Sequence, residues 1–313
     1  MAGSGAGLGE HSRMRVAILG YGSVAAVHAR GLRGHAEMAA VFGPNREKAE
    51  AFACANEITG AETELRAALD RADAAIVCSP SHLHYRQASQ VLNNGVSCLV
   101  ELPACASSAE AGELATIARS RQLTVQCAHT SRYLEPYRLL REWIQADSLG
   151  EICHVTYLRA ILPRARSWAD DALLHHAEHP LDLFLDWFGS VQPLGCAACP
   201  AVPGAQDLSL VGSVCGGVPV SISISYTARL AEVKMTIVGS RHTVATDGFS
   251  YIASDDADLT WKGDEQQVYE RAVADQDKQF LKACRSGEGG IPWADTIRLT
   301  NLVEEFSKLW NRG

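Results

Sequence analysis

The stretch RVAILGYGSVA, residues 15–25, decides the fold that we predict for this chain. Its first five residues form an apolar run with β-branched side chains, which is typical of a buried strand. Gly20, Tyr21 and Gly22 interrupt the run, and a helical pattern begins at about Ser23. The glycines therefore lie in the turn of a strand–turn–helix unit.

The spacing of the small residues in this turn is that of a dinucleotide-binding loop. Gly20, Gly22 and Ala25 follow the pattern G-x-G-x-x-A, in which the glycines permit a tight turn and close approach of a pyrophosphate. The backbone N–H groups at Ser23 and Val24, in the first turn of the helix, are then available to the anion. The alternative is that the two glycines only make a turn.

Apolar runs and helical segments alternate as far as residue 128. Strands are predicted at 15–19, 37–42, 74–78, 97–100 and 124–127, and helices at about 23–31, 47–57, 62–69, 85–94 and 108–120. This order predicts an α/β domain in which helices cover both faces of a parallel sheet.

The pattern changes in the second half of the chain. Strands with alternating apolar and polar residues are predicted at 152–160, 208–213, 219–227, 232–238 and 242–247, and helices at about 136–146, 171–188, 269–285 and 293–311. We therefore predict a leader or tag at 1–13, a dinucleotide-binding domain at 14–128, and an α+β substrate-binding and oligomerisation domain at 129–313.

Composition excludes several classes of protein. The 313 residues include 28 Lys and Arg against 36 Asp and Glu, a formal net charge of −8, so we expect no nucleic-acid partner. No apolar stretch is long enough to span a bilayer, and we expect no membrane partner. The leader has no signal-peptide pattern, and the ten cysteines do not form a disulfide-scaffold pattern, so a reduced, cytoplasmic setting is expected.

Two further segments are candidate cofactor contacts. At the end of the second predicted strand, where NAD-specific domains usually carry an acid, this chain has Gly43, and Arg46 follows. This favours NADP over NAD, because Arg46 is able to pair with a 2′-phosphate; otherwise Arg46 is a solvated residue at a helix start. Ser79, Pro80 and His84 follow the next strand and are expected at the cofactor cleft, although His84 is equally interpreted as a packing residue.

With these segments in order, the chain resembles the Gfo/Idh/MocA family, the relatives of glucose–fructose oxidoreductase and inositol dehydrogenase. The resemblance extends from Met14 to Trp310 and rests on RVAILGYGSVAAVHARGL, AAIVCSPSHLHYRQASQVLNNGVSCLVELPACAS, HHAEHPLDLFLDWFG and DKQFLKACRSGEGGIPWADTIRLTNLVEEF. It implies a Rossmann domain, meaning a doubly wound parallel sheet, and a C-terminal domain with an open, mainly antiparallel sheet. It also implies a nicotinamide in the cleft between them, a small polar substrate such as a sugar or polyol, and homo-dimers or homo-tetramers formed through that second sheet.

The chain departs from the family at two motifs. The family's E-K-P motif is Glu101-Leu102-Pro103 here, so Leu102 replaces the lysine that contacts the reacting oxygen, while Glu101 and Pro103 are expected beside the nicotinamide. The family's D-x-x-x-H motif has His175 in place of the aspartate and retains His179. Since a positioned acid or base contributes about 10²–10⁴-fold to a rate, these changes bear on activity.

The histidines are the candidate catalytic residues. His175 and His179 are four residues apart and share one face of a helix, so we predict His179 as the acid/base and His175 as its neighbour. His176 is expected to point elsewhere, as a structural residue or a substrate contact. The sequence HHAEH also contains H-x-x-E-H, a zinc peptidase pattern, but the dinucleotide loop argues against that fold, and no metal is predicted.

Four arginines are candidate contacts for an anionic substrate. Arg132, Arg159, Arg164 and Arg166 lie near the start of the second domain and replace the charge lost at Leu102, unless they are surface residues.

The leading hypothesis is an NAD(P)-dependent oxidoreductase acting on a secondary alcohol, carbonyl or imine carbon. The alternatives are a lyase or hydrolase that recycles a tightly bound NAD, and a non-catalytic, regulatory cofactor-binding homologue.

Overall fold

A computed structural model of the chain describes residues 13–163, 171–200 and 205–310. The first domain contains six strands and five helices: β1 Arg15–Leu19, α1 Ser23–Leu32, β2 Glu37–Phe42, α2 Arg46–Asn56, β3 Ala61–Glu62, α3 Leu65–Leu69, β4 Ala74–Val77, α4 His84–Asn93, β5 Ser97–Val100, α5 Ser108–Arg121 and β6 Val125–Cys127. The strands form one parallel sheet in the order β3-β2-β1-β4-β5-β6. The predicted parallel, doubly wound domain is confirmed.

The second domain is built on an eight-stranded sheet. Its elements are α6 Glu135–Gln145, β7 Ile152–Ala160, a π-helical turn at Leu173–Ala177, α7 Glu178–Phe188, β8 Gln192–Pro200, β9 Ala205–Val214, β10 Val218–Ser225, β11 Glu232–Gly239, β12 Thr243–Thr246, β13 Tyr251–Ser254, β14 Trp261–Lys262, α8 Glu265–Ser286 and α9 Trp293–Trp310. The strand order is β14-β13-β12-β11-β7-β10-β9-β8, and only β7 and β10 pair in parallel. The mainly antiparallel second sheet is therefore also confirmed.

Three local expectations were wrong. The segment predicted as one helix at 62–69 divides into β3 and the short α3, because residues 61 and 62 pair with β2. β8 was not predicted, since QPLGCAACP has no apolar–polar alternation and its strand conformation depends on pairing with β9. The helix predicted from 171 begins instead with the π-helical turn at Leu173–Ala177, and regular α-helix begins at Glu178.

The two faces of the second sheet differ in burial. On β7 and β10 the side chains of Val155, Tyr157 and Ile222 face inward and are buried, whereas Leu158 and, on β9, Val211 are exposed on the opposite face. Assembly into dimers or tetramers through this outer face stays a prediction. No helix in the described ranges is long and apolar enough to cross a membrane.

The last two helices return to the first domain and bind its helices. α8 packs against α1, and α9 packs against α5. Trp293 Nε1 donates a hydrogen bond to the Ala111 carbonyl oxygen at 2.9 Å, and Glu304 accepts hydrogen bonds from the backbone N–H and the hydroxyl of Ser108 at 2.7 and 3.0 Å. The hydrophobic core consequently continues from one domain into the other. The leader predicted at 1–13 lies outside the described residues, apart from Arg13.

Arg132 lies at the junction of the two domains, in the short helical turn Thr130–Tyr133. Its guanidinium makes a two-pronged contact with the buried Asp182 at 2.6 and 2.9 Å and a third bond to Asp295 at 2.7 Å. Burial raises the pKa of Asp182, but His129 and Arg132 outweigh burial and lower this pKa to about 2. The expectation that Arg132 contacts substrate is therefore corrected, because its donors are bound by carboxylates of α7 and α9.

We expect Arg132→Met to destabilise the protein by about 3–5 kcal/mol, because it removes the guanidinium that makes a two-pronged contact with the buried Asp182 carboxylate. Arg141→Met is the matched control: Arg141 is half exposed and makes a single contact with Asp186 at 3.2 Å, so its loss costs about 1 kcal/mol or less. Urea unfolding followed by circular dichroism measures both free energies. Equal costs for the two variants would contradict the structural role of Arg132.

Candidate active site

A cleft of about 1090 Å³ lies between the carboxyl ends of the parallel strands and the inner face of the second sheet. Most of the predicted site residues line it. They are Gly20, Gly22, Ser23, Val24, Gly43, Ser79, Pro80, His84, Glu101, Leu102, Arg159, His175, His176 and His179. Ala25, Arg46, Pro103 and Arg132 are not among the lining residues, and Arg164 and Arg166 lie outside the described residues.

The glycine loop has the shape that a pyrophosphate requires. Gly20 has φ +118°, and a Cβ there would lie 2.6 Å from the Cys78 carbonyl oxygen, so only glycine fits. A Cβ on Gly22 would project into open space at the cleft. No side chain caps the start of α1 and its first turn holds no acid, so its N–H groups remain available to an anion. Ala25 is fully buried beneath the loop and allows the close packing of α1.

The residues after β2 differ in part from the expectation for NADP. Gly43 lines the cleft, and a Cβ there would overlap the Tyr21 ring, 2.0 Å from Cε1, so this glycine also has a packing reason. Arg46 does not face the cleft. Its guanidinium donates to the Ala61 carbonyl oxygen and the Thr63 hydroxyl at 3.1 and 3.2 Å, and it is exposed beside α2. The predicted contact between Arg46 and the cofactor is thus not present in this arrangement.

His84 connects the loops that follow β4 and β5. Its ring is buried, with Nε2 2.7 Å from the Ser79 carbonyl oxygen and Nδ1 2.8 Å from the Pro103 carbonyl oxygen. The Ser79 hydroxyl donates to Gln87 at 2.7 Å. His84 therefore positions cleft-lining backbone from below, and Pro103 lies buried behind Leu102, where it accepts this contact and does not border the cleft.

A buried chain of charged side chains supports the cleft wall. His28 of α1 is fully buried, with Nδ1 2.8 Å from Asp277 of α8 and Nε2 3.0 Å from Glu101, which follows β5. Burial lowers the pKa of His28, but Asp277 and Glu101 outweigh burial and raise it to about 10. His28 is therefore an imidazolium at neutral pH, and it holds the Glu101 carboxylate at the edge of the cleft.

The π-helical turn and the first turn of α7 together place three histidine rings in the cleft. His175 and His176 have ring centroids 4.7 Å apart, and those of His176 and His179 are 6.3 Å apart. The expectation that His176 points elsewhere was wrong, because the wider π turn alters the angular spacing of an α-helix and brings His176 to the cleft as well. His176 is hydrogen-bonded to the Tyr226 hydroxyl on the second domain.

His179 is a neutral imidazole. Burial lowers its pKa, and the interactions with Arg159 and His175 lower it further, to about 3. Nδ1 lies 3.4 Å from the Ser131 hydroxyl, which leaves Nε2 for a ligand in the cleft. Neutral His179 has the form that accepts a proton, and its pKa lies well below that of a free imidazole.

Leu102 and Arg159 define the polarity of the substrate side. Leu102 is buried in the core and presents only apolar atoms to the cleft. Arg159, on the inner face of β7, is the one Lys or Arg among the described residues that line the cleft. Across the described part of the chain, no three His, Cys, Asp or Glu side chains are grouped to hold a metal ion.

Sequence reasoning missed His28, Asp277 and Tyr226. A weak signal existed for the first two, because a titratable residue on the apolar face of a helix needs a partner when it is buried. His28 lies among Ala25, Ala29 and Leu32 on the buried face of α1. Its partner is 249 residues away in the chain, and periodicity does not identify partners at that separation.

A parallel sheet with a glycine loop and a cleft at the carboxyl ends of its strands is typical of dinucleotide-binding proteins. Residues 14–129 match the family profile described as an oxidoreductase family with an NAD-binding Rossmann fold. The first domain of the chain is therefore similar to the NAD-binding domain of the Gfo/Idh/MocA oxidoreductase family.

Three known proteins show the range of its relatives. The 4-carboxy-2-hydroxymuconate-6-semialdehyde dehydrogenase of Sphingobium sp. is 26% identical over 320 residues, which cover 95% of this chain and 98% of that protein. The structure of UDP-N-acetylglucosamine 3-dehydrogenase from Acidithiobacillus ferrooxidans matches with a TM-score of 0.81 at 21% identity, covering 96% and 98% of the two chains. Levoglucosan dehydrogenase in complex with NADH matches with a TM-score of 0.82 at 14% identity, covering 96% and 97%.

We expect the free energy of unfolding to decrease as the pH rises from about 7 to 10, because the pKa of His28 is raised from 6.5 to about 10 on folding. A folded-state pKa above the unfolded value means that this stabilisation is complete below about pH 6.5 and is lost as the pH approaches 10. The limiting slope is about 1.4 kcal/mol per pH unit. Urea unfolding at a series of pH values measures it.

The control is the double variant His28→Leu, Asp277→Leu, which removes the imidazolium together with its closest carboxylate. Replacing a buried ion pair by apolar residues of similar size often preserves the fold. A double variant with the same alkaline slope as wild type would contradict the assignment to His28.

Proposed function

We propose that the chain is an NADP-dependent dehydrogenase of a secondary alcohol on a small polar, cyclic substrate, with His179 as the proton acceptor. The observation that carries this proposal is the convergence of the uncapped start of α1 and the neutral His179 in one cleft. The backbone at Gly22, Ser23 and Val24 would hold the pyrophosphate, and Glu101 would border the nicotinamide. A nicotinamide held there would supply the acceptor for the hydride of the carbinol carbon.

Residues of the chain would carry out the proton transfer of the oxidation. Nε2 of His179 accepts the proton of the substrate hydroxyl while Ser131 orients the ring through Nδ1. The carbonyl product forms as the O–H and C–H bonds break, and the reverse sequence reduces a carbonyl to the alcohol. An imine would be reduced in a parallel step, in which the proton goes to its nitrogen. Leu102 excludes water from the reacting carbon but neither donates nor accepts a proton, so the proton transfer falls to His179.

The relatives support a hydroxylated substrate. The names of two of them refer to a carbohydrate, UDP-N-acetylglucosamine and levoglucosan, and the name of the third refers to a carboxylated semialdehyde. From the two carbohydrate names we infer a ring compound with a secondary hydroxyl, whereas the third name denotes an open-chain semialdehyde.

We expect NADPH to bind more tightly than NADH, because no carboxylate among Gly43, Pro44, Asn45 and Arg46 repels a 2′-phosphate. Fluorescence titration with each dinucleotide measures the two dissociation constants. Gly22→Asp places a negative charge at the pyrophosphate loop and should weaken both by about tenfold or more, roughly 1.4 kcal/mol. Tighter binding of NADH would refute the preference, and undiminished binding by Gly22→Asp would refute the loop assignment.

We expect His179→Asn to lower kcat by about 10²–10⁴-fold without weakening dinucleotide binding, because only the proton acceptor is lost. The assay follows reduction of NADP⁺ or NAD⁺ with a panel of sugars, polyols and hydroxy acids. His154→Asn is the matched control, since His154 lies on β7 outside the cleft lining.

A non-catalytic, cofactor-binding homologue is the second candidate, and the apolar Leu102 at the lysine position favours it. The same experiments separate the two functions. A wild-type protein that binds dinucleotide but oxidises or reduces no member of the panel, with Leu102→Lys equally inactive, would support the non-catalytic function.

A further inference from the structure

Arg159 is a cation in the cleft whose charge no described carboxylate neutralises. Its Nε is buried and has no hydrogen-bond partner among the described residues. Its neighbours on the adjacent strands are Ile224 of β10 and Val233 of β11, both apolar. Because a buried donor is costly unless it is hydrogen-bonded, this arrangement is one that an anionic ligand would complete.

Three carboxylate residues line the cleft, and none of them is paired with Arg159. Glu101 is paired with the His28 imidazolium at 3.0 Å. Asp264 caps α8 by accepting a hydrogen bond from the Gln267 N–H at 2.9 Å, and Glu265 lies in the first turn of that helix. In the described ranges, neither these groups nor any other carboxylate lies within ion-pair distance of Arg159.

Arg132 provides an internal comparison. It is also placed at the beginning of the second domain, but Asp182, Asp186 and Asp295 lie within 2.6–3.4 Å of its guanidinium. The chain therefore supplies carboxylates where an arginine is structural, and among the described residues it supplies none at Arg159.

We propose that Arg159 binds a carboxylate of the substrate, so that the substrate is a hydroxy acid or sugar acid oxidised at a hydroxyl beside His179. This proposal rests on the dehydrogenase function proposed above and names its substrate class. A guanidinium offers a planar pair of donors that matches a carboxylate in a two-pronged contact. The substrate charge would occupy the part of the cleft where Leu102 leaves no cation.

Binding of a carboxylate would also change the proton acceptor. The charged or titratable groups that act on His179 are Arg159 from β7, His129 from the preceding segment, and His175 and Asp182 from its own segment. Of these, Arg159 is the strongest influence that lowers the pKa of His179 after burial. A carboxylate on Arg159 offsets this charge, so the pKa of His179 rises in the substrate complex and the imidazole becomes a stronger base.

The test compares three probes that share one ring and differ in charge: glucose, glucuronate and glucose 6-phosphate. Calorimetry with the NADPH-loaded protein measures their affinities for wild type, Arg159→Met, Arg159→Lys and the control Lys234→Met. Lys234 is exposed on β11, opposite Leu158 on the outer face of the sheet. We expect glucuronate to bind wild type and Lys234→Met about 10- to 100-fold more tightly than glucose, as a charge-assisted contact predicts. Arg159→Met should lose this preference, and Arg159→Lys should retain part of it.

The proposal is overturned if glucose or glucose 6-phosphate binds as tightly as glucuronate, or if Arg159→Met keeps the preference. If none of the sugars binds, acetate is the deciding probe, with chloride at equal ionic strength as reference and the His179 ring followed by NMR. Acetate that raises the pKa of His179 in wild type but not in Arg159→Met supports the proposal, and an equal response of both proteins overturns it.

NADPH binding by Arg159→Met is measured separately, so a failure of the dehydrogenase function appears as lost dinucleotide binding or as inactivity on every substrate.

Discussion

The buried imidazolium of His28 is the interaction on which the geometry of the cleft depends. It joins three elements that are far apart in the chain: α1, whose first turn faces the cofactor site, the residue after β5, and α8 of the second domain. The contact with Asp277 is excluded from water and the contact with Glu101 is partly buried, so the geometry at His28 is narrowly specified. The orientation of α1, the position of Glu101 and the docking of α8 are consequently not independent.

On the side of the cleft formed by the second domain, a structural charge has a partner of opposite sign and a candidate functional residue does not. Arg132 and Asp182 satisfy each other in the interior, and both are ionised because the partner is present. His179 is buried and lies near the Arg159 cation. Both lower its pKa, so the imidazole remains neutral. Leu102 presents no charge to the cleft, and Arg159 on β7 is the one Lys or Arg among the described residues that line it.

Much of the fold was predictable because it depends on local pattern. The boundaries of β1, β2 and β5 and the alternation of β7 and β10 follow from apolar runs and from period-two burial. β3 and β8 were missed, since their strand conformation comes from pairing with β2 and β9 and not from their own residues. The glycine loop was predictable because its small residues are spaced for a physical purpose, whereas the side-chain direction of Arg46 depends on β3, which lies beside it only after folding.

The sequence by itself determined the dinucleotide loop, the two-domain order and the identity of His179 as the candidate base, because each is encoded in residues close together in the chain. Only the tertiary structure decided the charge states and the directions of side chains. His28 meets Asp277 across 249 positions, Arg132 meets carboxylates from two other helices, and His176 enters the cleft through a π turn. The physical reason is that ionisation and hydrogen bonding depend on the distance in space between groups and on their exclusion from water, and periodicity in a sequence reports neither.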